Sequence, residues 1–315
     1  MNVFITDAGF SDVNTEREII EGAGHTLHLK QCKTEEDLLN EVTTADALIV
    51  QWAPVSAKVI EALKQCKVIV RYGIGVDNVD LEAAKEKGIP VCNIPDYCIE
   101  EVADHALSMA FALSRQLPQT TARLRTGEWK ITPPAPILPT AQTLFATAGF
   151  GRIAQMVLSK AKALGFNVAA CDPYCPEEVI REKGVQSLNS EELFQKADIL
   201  SLHLPLTKET HYYINKTTLA QMKQGSILVN TSRGGLVDID ALSTSLENHH
   251  LGGAGLDVFS EEPPEVSHPL FSSNKVILTS HTAWNSTASV PKLQKLAAEE
   301  AIRGLSGDTF KNKVN

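Results

Sequence analysis

The sequence has no apolar run approaching the ~20 residues that a membrane-spanning helix needs. Its first residues, Met1-Asn2-Val3-Phe4-Ile5-Thr6-Asp7, already carry an acid where a secretion signal would continue its hydrophobic stretch. It has no surplus of positive charge: 29 Lys and Arg against 38 Asp and Glu leave a net charge of −9. A nucleic-acid backbone as the main partner would want a basic face. Cysteine is sparse and scattered, at Cys32, Cys66, Cys92, Cys98, Cys171 and Cys175, mostly inside apolar segments. Cys171 and Cys175 lie four apart, but no second Cys or His pair stands near them at zinc spacing, so no metal is expected. These shortages point to a cytoplasmic protein with buried, reduced thiols and neither a membrane nor a nucleic acid as partner. What is present is ordinary for a globular chain: 315 residues, 43% hydrophobic and 21% charged, enough for two domains.

Short apolar strands alternate with helical patterns. Residues 3–6, 26–29, 47–50, 68–70 and 88–93 read as strands, with helices opening near Asn14 and Thr34 behind polar caps and acidic first turns. A long helix is expected over 99–115, where apolar residues recur at three and four. Four prolines within 131–139 can neither continue a helix nor fill a central strand, so an extended surface connection is expected there. A second set of strands follows at 144–148, 167–171, 199–202, 226–230, 253–258 and 276–279. Helices are expected at 152–164, 177–183 and 290–305. This rhythm predicts an α/β protein with mainly parallel sheets covered on both faces.

Gly149-Phe150-Gly151-Arg152-Ile153-Ala154 lies between the strand at 144–148 and the helix opening at Arg152. Gly149 permits a tight turn, and Gly151 lets the backbone approach a pyrophosphate. Ala154 keeps the helix close to the strand. The helix N-terminus offers N–H groups at Arg152 and Ile153 and a positive dipole end. Asp172 ends the next strand, 23 residues after Gly149. An acid there accepts from adenosine ribose hydroxyls and repels a 2′-phosphate, which favours NAD over NADP. Such a turn alone, or Asp172 alone before Pro173, would also suit an ordinary loop.

With that turn in place, the sequence resembles the D-isomer-specific 2-hydroxyacid dehydrogenase family over nearly its whole length. Arg71-Tyr72-Gly73-Ile74-Gly75-Val76-Asp77-Asn78-Val79-Asp80 is similar to the family's substrate loop. Glu101-Val102-Ala103-Asp104-His105-Ala106-Leu107 is similar to the start of its interdomain helix. Asn230-Thr231-Ser232-Arg233-Gly234-Gly235-Leu236-Val237-Asp238, Leu256-Asp257-Val258-Phe259-Ser260-Glu261-Glu262-Pro263 and Ser280-His281-Thr282-Ala283-Trp284 resemble its arginine, glutamate and histidine motifs. The nearest likeness is to C-terminal-binding-protein-like and short phosphoglycerate dehydrogenase-like members.

The resemblance implies two Rossmann-like or flavodoxin-like parallel-sheet domains with a cleft between them. Residues 1–99 with 286–315 would form a discontinuous substrate domain, and 100–285 the NAD-binding domain. It implies a hydride transfer between nicotinamide and a small D-2-hydroxy or 2-keto acid. Arg233 would hold the substrate carboxylate in two-point contact. His281 would move the proton, with Glu262 on its other ring nitrogen. His203, Pro205, Thr231, Asp257 and His281 would join Gly149, Gly151, Arg152, Ile153 and Asp172 around the cofactor, with Asp257 at the nicotinamide amide. Tyr72, Gly73, Ile74 and Gly75 would face the substrate with Arg233, the glycines freeing successive N–H groups to point at an anion. Members are commonly homodimers built through the cofactor domain. The same likeness leaves an alternative open, an NAD(H)-sensing, protein-binding scaffold of the corepressor type. The chain departs from the family at Pro139-Thr140-Ala141-Gln142-Thr143-Leu144-Phe145-Ala146-Thr147-Ala148, where relatives usually carry Gly-Lys near Ala141-Gln142, glycine in place of Phe145 and β-branched residues near Thr147-Ala148. A repacked flank is expected on that strand.

Overall fold

A computed structural model describes all 315 residues, which form two units: Met1–Cys98 with Asn285–Asn315, and Ile99–Trp284. No helix is long and apolar enough to cross a membrane.

In the first unit the chain runs β1 (Asn2–Ile5), α1 (Asn14–Gly22), β2 (Thr26–Leu29), α2 (Glu35–Glu41), β3 (Ala47–Val50), α3 (Ala57–Ala62), β4 (Val68–Arg71), α4 (Leu81–Glu86) and β5 (Val91–Cys92). The strands pair in parallel in the order β2-β1-β3-β4-β5. This is a doubly wound, flavodoxin-like order. Its helices begin on side chains that satisfy free N–H groups. Thr34 forms a reciprocal capping box with Asp37, Ser56 accepts from the Val59 N–H, and Asp80 accepts from the Ala83 N–H. Alternation along the strands splits their side chains between two cores. Phe4, Leu48, Val50, Ile69 and Val91 pack with α2, α3 and α4. Val3, Ile5, Ile49, Val68 and Val70 are buried on the opposite face. There α1 and the C-terminal helix, Ser289–Ser306, close the sheet.

The second unit opens with α5 (Ile99–Ser114) and α6 (Leu117–Arg125); residues 126–139 form neither helix nor strand. It continues as β6 (Leu144–Ala148), α7 (Arg152–Ala163), β7 (Asn167–Cys171), α8 (Glu177–Glu182), β8 (Gln186–Ser187), α9 (Ser190–Lys196), β9 (Ile199–Leu202), α10 (Lys216–Gln221), β10 (Ile227–Asn230), α11 (Ile239–Glu247), β11 (Gly253–Leu256) and β12 (Val276–Leu278). The seven strands are parallel, in the order β12-β11-β10-β9-β6-β7-β8. Counted from β6, this is the Rossmann order, with strand succession reversing between β6 and β9.

The departure at Phe145 is absorbed without distortion. Its ring is fully buried, 5.7 Å from that of Phe166, which in turn lies 5.1 Å from Phe111 of α5. The strand keeps an unbroken register, Phe145 opposite both Val168 and Ile199 and Ala148 opposite both Cys171 and Leu202. Phe145→Ala would therefore leave a cavity between sheet and helices. The expected loss is about 3–5 kcal/mol of unfolding free energy, read from urea melts. A loss under about 1 kcal/mol would mean that the ring is not part of a packed core.

Candidate active site

The turn after β6 meets the reversal point of the sheet, where ligands of doubly wound folds collect. Gly149 adopts φ +96°, and a Cβ there would lie 2.4 Å from the His203 carbonyl oxygen. Only glycine meets both conditions. Thr147 donates its hydroxyl to the Gly149 carbonyl at 2.8 Å, fixing the turn from within the strand. A Cβ on Gly151 would meet nothing within 4 Å, so the backbone is open on that side. No side chain caps α7, which leaves the N–H groups at Ile153 and Ala154 directed at the open turn. Asp172 stands half-buried beside it. One carboxylate oxygen accepts from Phe150 N–H at 2.8 Å and the other from Tyr174 N–H at 2.9 Å.

Around this turn, His203 lies with Nε2 2.9 Å from the Ser201 hydroxyl, and burial lowers its pKa to about 4, so it is neutral. The Pro205 carbonyl accepts from the Thr210 hydroxyl. The Thr231 hydroxyl is buried with no partner in the chain. An open glycine turn at a helix N-terminus, an acid beside it and an orphaned hydroxyl nearby fit a dinucleotide. They offer donors for a pyrophosphate, an acceptor for ribose hydroxyls and a spare polar group.

Three loops at the carboxyl ends of β10, β11 and β12 carry the candidate catalytic side chains. Asn230 holds the first loop. Its amide donates to the Arg233 carbonyl at 2.8 Å and its oxygen accepts from Ser232 N–H at 3.0 Å. Gly234 then lets the second loop press close, because a Cβ there would lie 1.9 Å from the Phe259 carbonyl carbon. The Arg233 guanidinium bends back to its own loop, donating from Nη1 to the Ser232 carbonyl at 2.7 Å.

His281 Nδ1 lies 2.7 Å from Glu262 Oε2; a carboxylate only accepts, so Nδ1 carries the shared proton. The two side chains are 23% and 33% exposed, open enough for a ligand to reach. Burial pushes the Glu262 carboxyl up, but the His281 contact, the Phe259 N–H and the Arg233 charge outweigh it and hold the group below its usual range. His281 itself has φ +54°, a backbone state that costs a non-glycine residue about 1–3 kcal/mol. Its N–H donates to the Asp257 carbonyl at 2.7 Å, and its carbonyl accepts from Trp284 Nε1 at 2.7 Å.

Two side chains that the resemblance assigns to the site are also tied into the protein. The resemblance assigns Asp257 to the nicotinamide amide. Its carboxylate is buried and accepts from Thr279 Oγ1 and the Thr282 and Ala283 N–H groups, so it holds the histidine loop. The resemblance also turns Tyr72 toward the substrate. Its side chain is 1% exposed, packs edge-on against Phe10 and donates its hydroxyl to the buried Glu16 carboxylate. Arg71 Nη1 donates to the Tyr72 carbonyl at 2.7 Å. What the first unit's loop presents at Gly73, Ile74 and Gly75 is therefore mainly backbone; Ile74 and Gly75 are partly exposed and their N–H groups have no backbone acceptor. Nothing in the sequence marks Thr147, Ser201 or Thr279 as site residues, since isolated hydroxyls carry no spacing signal.

Residues 107–283 match the family described as D-isomer specific 2-hydroxyacid dehydrogenase, NAD binding domain. D-3-phosphoglycerate dehydrogenase of Methanocaldococcus jannaschii is 40% identical over 317 aligned positions, covering all of this chain and 59% of that protein. The chain thus spans about three fifths of that relative's length. The TT0316 protein of Thermus thermophilus superposes with a TM-score of 0.85 at 34% identity, with both chains fully covered. D-lactate dehydrogenase of Aquifex aeolicus, solved with NAD and lactic acid, gives a TM-score of 0.90 at 27% identity over 99% of each chain.

The Gly149 geometry makes a direct prediction. Gly149→Ala forces a Cβ onto the His203 carbonyl in a conformation alanine avoids, and so moves the turn. NADH affinity, read by fluorescence titration, should fall at least about tenfold while far-UV circular dichroism stays native. Unchanged affinity would show that the cofactor does not use this turn.

Proposed function

The chain belongs to the D-isomer specific 2-hydroxyacid dehydrogenase family, and we propose that it transfers a hydride between NAD(H) and a small D-2-hydroxy acid or its 2-keto partner. The observation that carries this reading is the 2.7 Å contact between His281 Nδ1 and Glu262, with the Arg233 charge felt at the same carboxylate. Bound NAD(H) supplies the hydride chemistry. The residues of this chain bind, orient and move a proton. Arg233 would swing from its own backbone to a substrate carboxylate, a planar fork on a planar anion. With Nδ1 committed to Glu262, His281 Nε2 is the nitrogen that gives a proton to the keto oxygen in reduction and takes it from the hydroxyl in oxidation. Glu262 keeps the ring in that tautomer and offsets its charge when both nitrogens are protonated. On the first unit's own loop, the N–H groups of Ile74 and Gly75 would be able to meet an anion. Asp172 favours NAD over NADP. A phosphorylated 2-hydroxy acid heads the candidate substrates, on the likeness to D-3-phosphoglycerate dehydrogenase. The relatives with a named activity are enzymes, and no feature of the site favours a protein-binding scaffold over turnover.

The decisive experiment follows NADH oxidation against 3-phosphohydroxypyruvate, glyoxylate, hydroxypyruvate and pyruvate. His281→Asn should lower kcat by about 10²–10⁴-fold. Arg233→Gln should mainly raise KM, and Glu262→Gln should lower kcat less than His281→Asn does. Turnover that survives His281→Asn would sink the assignment.

We further propose that the protein acts as a homodimer through the segment after α5. Leu117, Leu124, Trp129, Ile131 and Leu138 are 53%, 58%, 81%, 91% and 49% exposed within one stretch of the second unit. Large apolar side chains exposed this densely along one stretch are unusual on a monomer, and a second copy of the chain would cover them. Sedimentation should give twice the 34.2 kDa chain mass, and Trp129→Asp with Ile131→Asp should give the single mass. A wild-type monomer at micromolar concentration would refute this arrangement.

A further inference from the structure

Beneath the His281 loop lies a polar relay that the proposed chemistry leaves unused. His105 stands on the second turn of α5, within the stretch 101–107 that the sequence singled out without giving it a task. Its Nε2 lies 2.9 Å from Thr279 Oγ1. That hydroxyl donates to Asp257 Oδ1 at 2.5 Å. Asp257 is 1% exposed, and its carboxylate also accepts from Thr282 N–H at 2.9 Å and Ala283 N–H at 3.0 Å. Its own carbonyl accepts from His281 N–H. Asp257 therefore grips the backbone at His281 and at the two residues after it. α5 comes near enough to take part because β11 offers Gly253 and Gly255, where a Cβ would lie 3.0 Å from Leu113 and 2.9 Å from Met109.

Proton counting fixes the direction of the relay. Thr279 has one hydroxyl proton, and the acceptor-only carboxylate takes it. Toward His105 the same oxygen can only accept, so His105 Nε2 is the donor. A donor there polarises the hydroxyl toward Asp257 and completes the partners of a buried charge. Without it, the hydroxyl loses the donor that orients it, and Asp257 loses both that polarisation of its tightest contact and a ring nitrogen 3.7 Å from its Oδ1. The loop that keeps His281 in a left-handed backbone state then has a looser anchor.

We propose that His105 is a positioning residue for His281, acting through Thr279 and Asp257. This rests on the reading of His281 as the group that moves the proton. The test uses the full chain, with ring-¹⁵N histidine, and reads the downfield proton signal of the His281 Nδ1–H bond to Glu262, assigned by its absence in His281→Gln. His105→Leu and Thr279→Val should lose that signal to solvent exchange. His105→Gln, whose amide places a donor where Nε2 stood, should retain it. In turnover, His105→Leu and Thr279→Val should each lower kcat about tenfold to a hundredfold with KM within about threefold. The double variant should be no slower than either alone, as expected for one connected unit. Should His105→Leu lose its fold, Thr279→Val carries both readouts. A retained signal and unchanged kcat in a folded His105→Leu or Thr279→Val protein would overturn the proposal, as would a His105→Gln protein as impaired as His105→Leu. If the wild-type protein turns over no 2-keto acid, the proposed reaction fails, and the ring-proton signal alone still decides the coupling.

Discussion

A carboxylate taken out of water must be met by donors on most of its lone pairs, or it costs several kcal/mol. Asp257, at the end of β11, imposes that requirement on its surroundings. It draws in a hydroxyl and two consecutive loop N–H groups. To present those groups, the chain after β12 must curl tightly, and His281 takes the left-handed conformation. Glu262 and the Trp284 indole then hold the ring and the carbonyl of the same residue. Geometry at His281 is thus set from below by one buried charge and from the side by a second, partly exposed one. The Arg233 loop joins them because Gly234 carries no Cβ where the Phe259 backbone passes.

Much of the architecture is legible because its signals are local. The strands at 26–29, 47–50, 144–148, 167–171 and 199–202 coincide with the observed elements to the residue, since short β-branched or apolar runs between polar turns leave little choice. The helices α3, α4, α6, α9, α10 and α11 escape the sequence pattern. The first two are six residues long, too short for a helical period to show, and only Ser56 and Asp80 announce them, as caps. α6 follows a left-handed Gln116 and starts with proline in its first turn, so its sequence looks like a loop. The strand expected at 88–93 is only Val91–Cys92, because Gly88 and Pro90 take up the turn before it.

The site is legible where chemistry is written in motifs, and obscure where it depends on contacts between distant segments. Arg233, Glu262 and His281 stand in recognisable strings. That Asp257 points into the protein, and that Tyr72 is spent on Glu16, follow from the packing of segments tens or hundreds of residues apart. Phe145 illustrates the same limit from the other direction. It looks out of place against its relatives, yet Phe111 and Phe166 provide the room it needs, so the turn it feeds keeps its shape.

The first unit is made from both ends of the chain, with the second unit inserted between them in sequence. During synthesis, the face of β3 and β4 that ends up under the C-terminal helix has to wait for that helix. The whole second unit emerges first, at about 5–20 residues per second, a delay on the order of ten seconds or more. The apolar face of Val68 and Val70 is unguarded for that interval. The inner unit can complete both its sheet and its covering helices while the outer one, with all five strands made, still lacks the helix that covers one face, so the unit translated first is completed last.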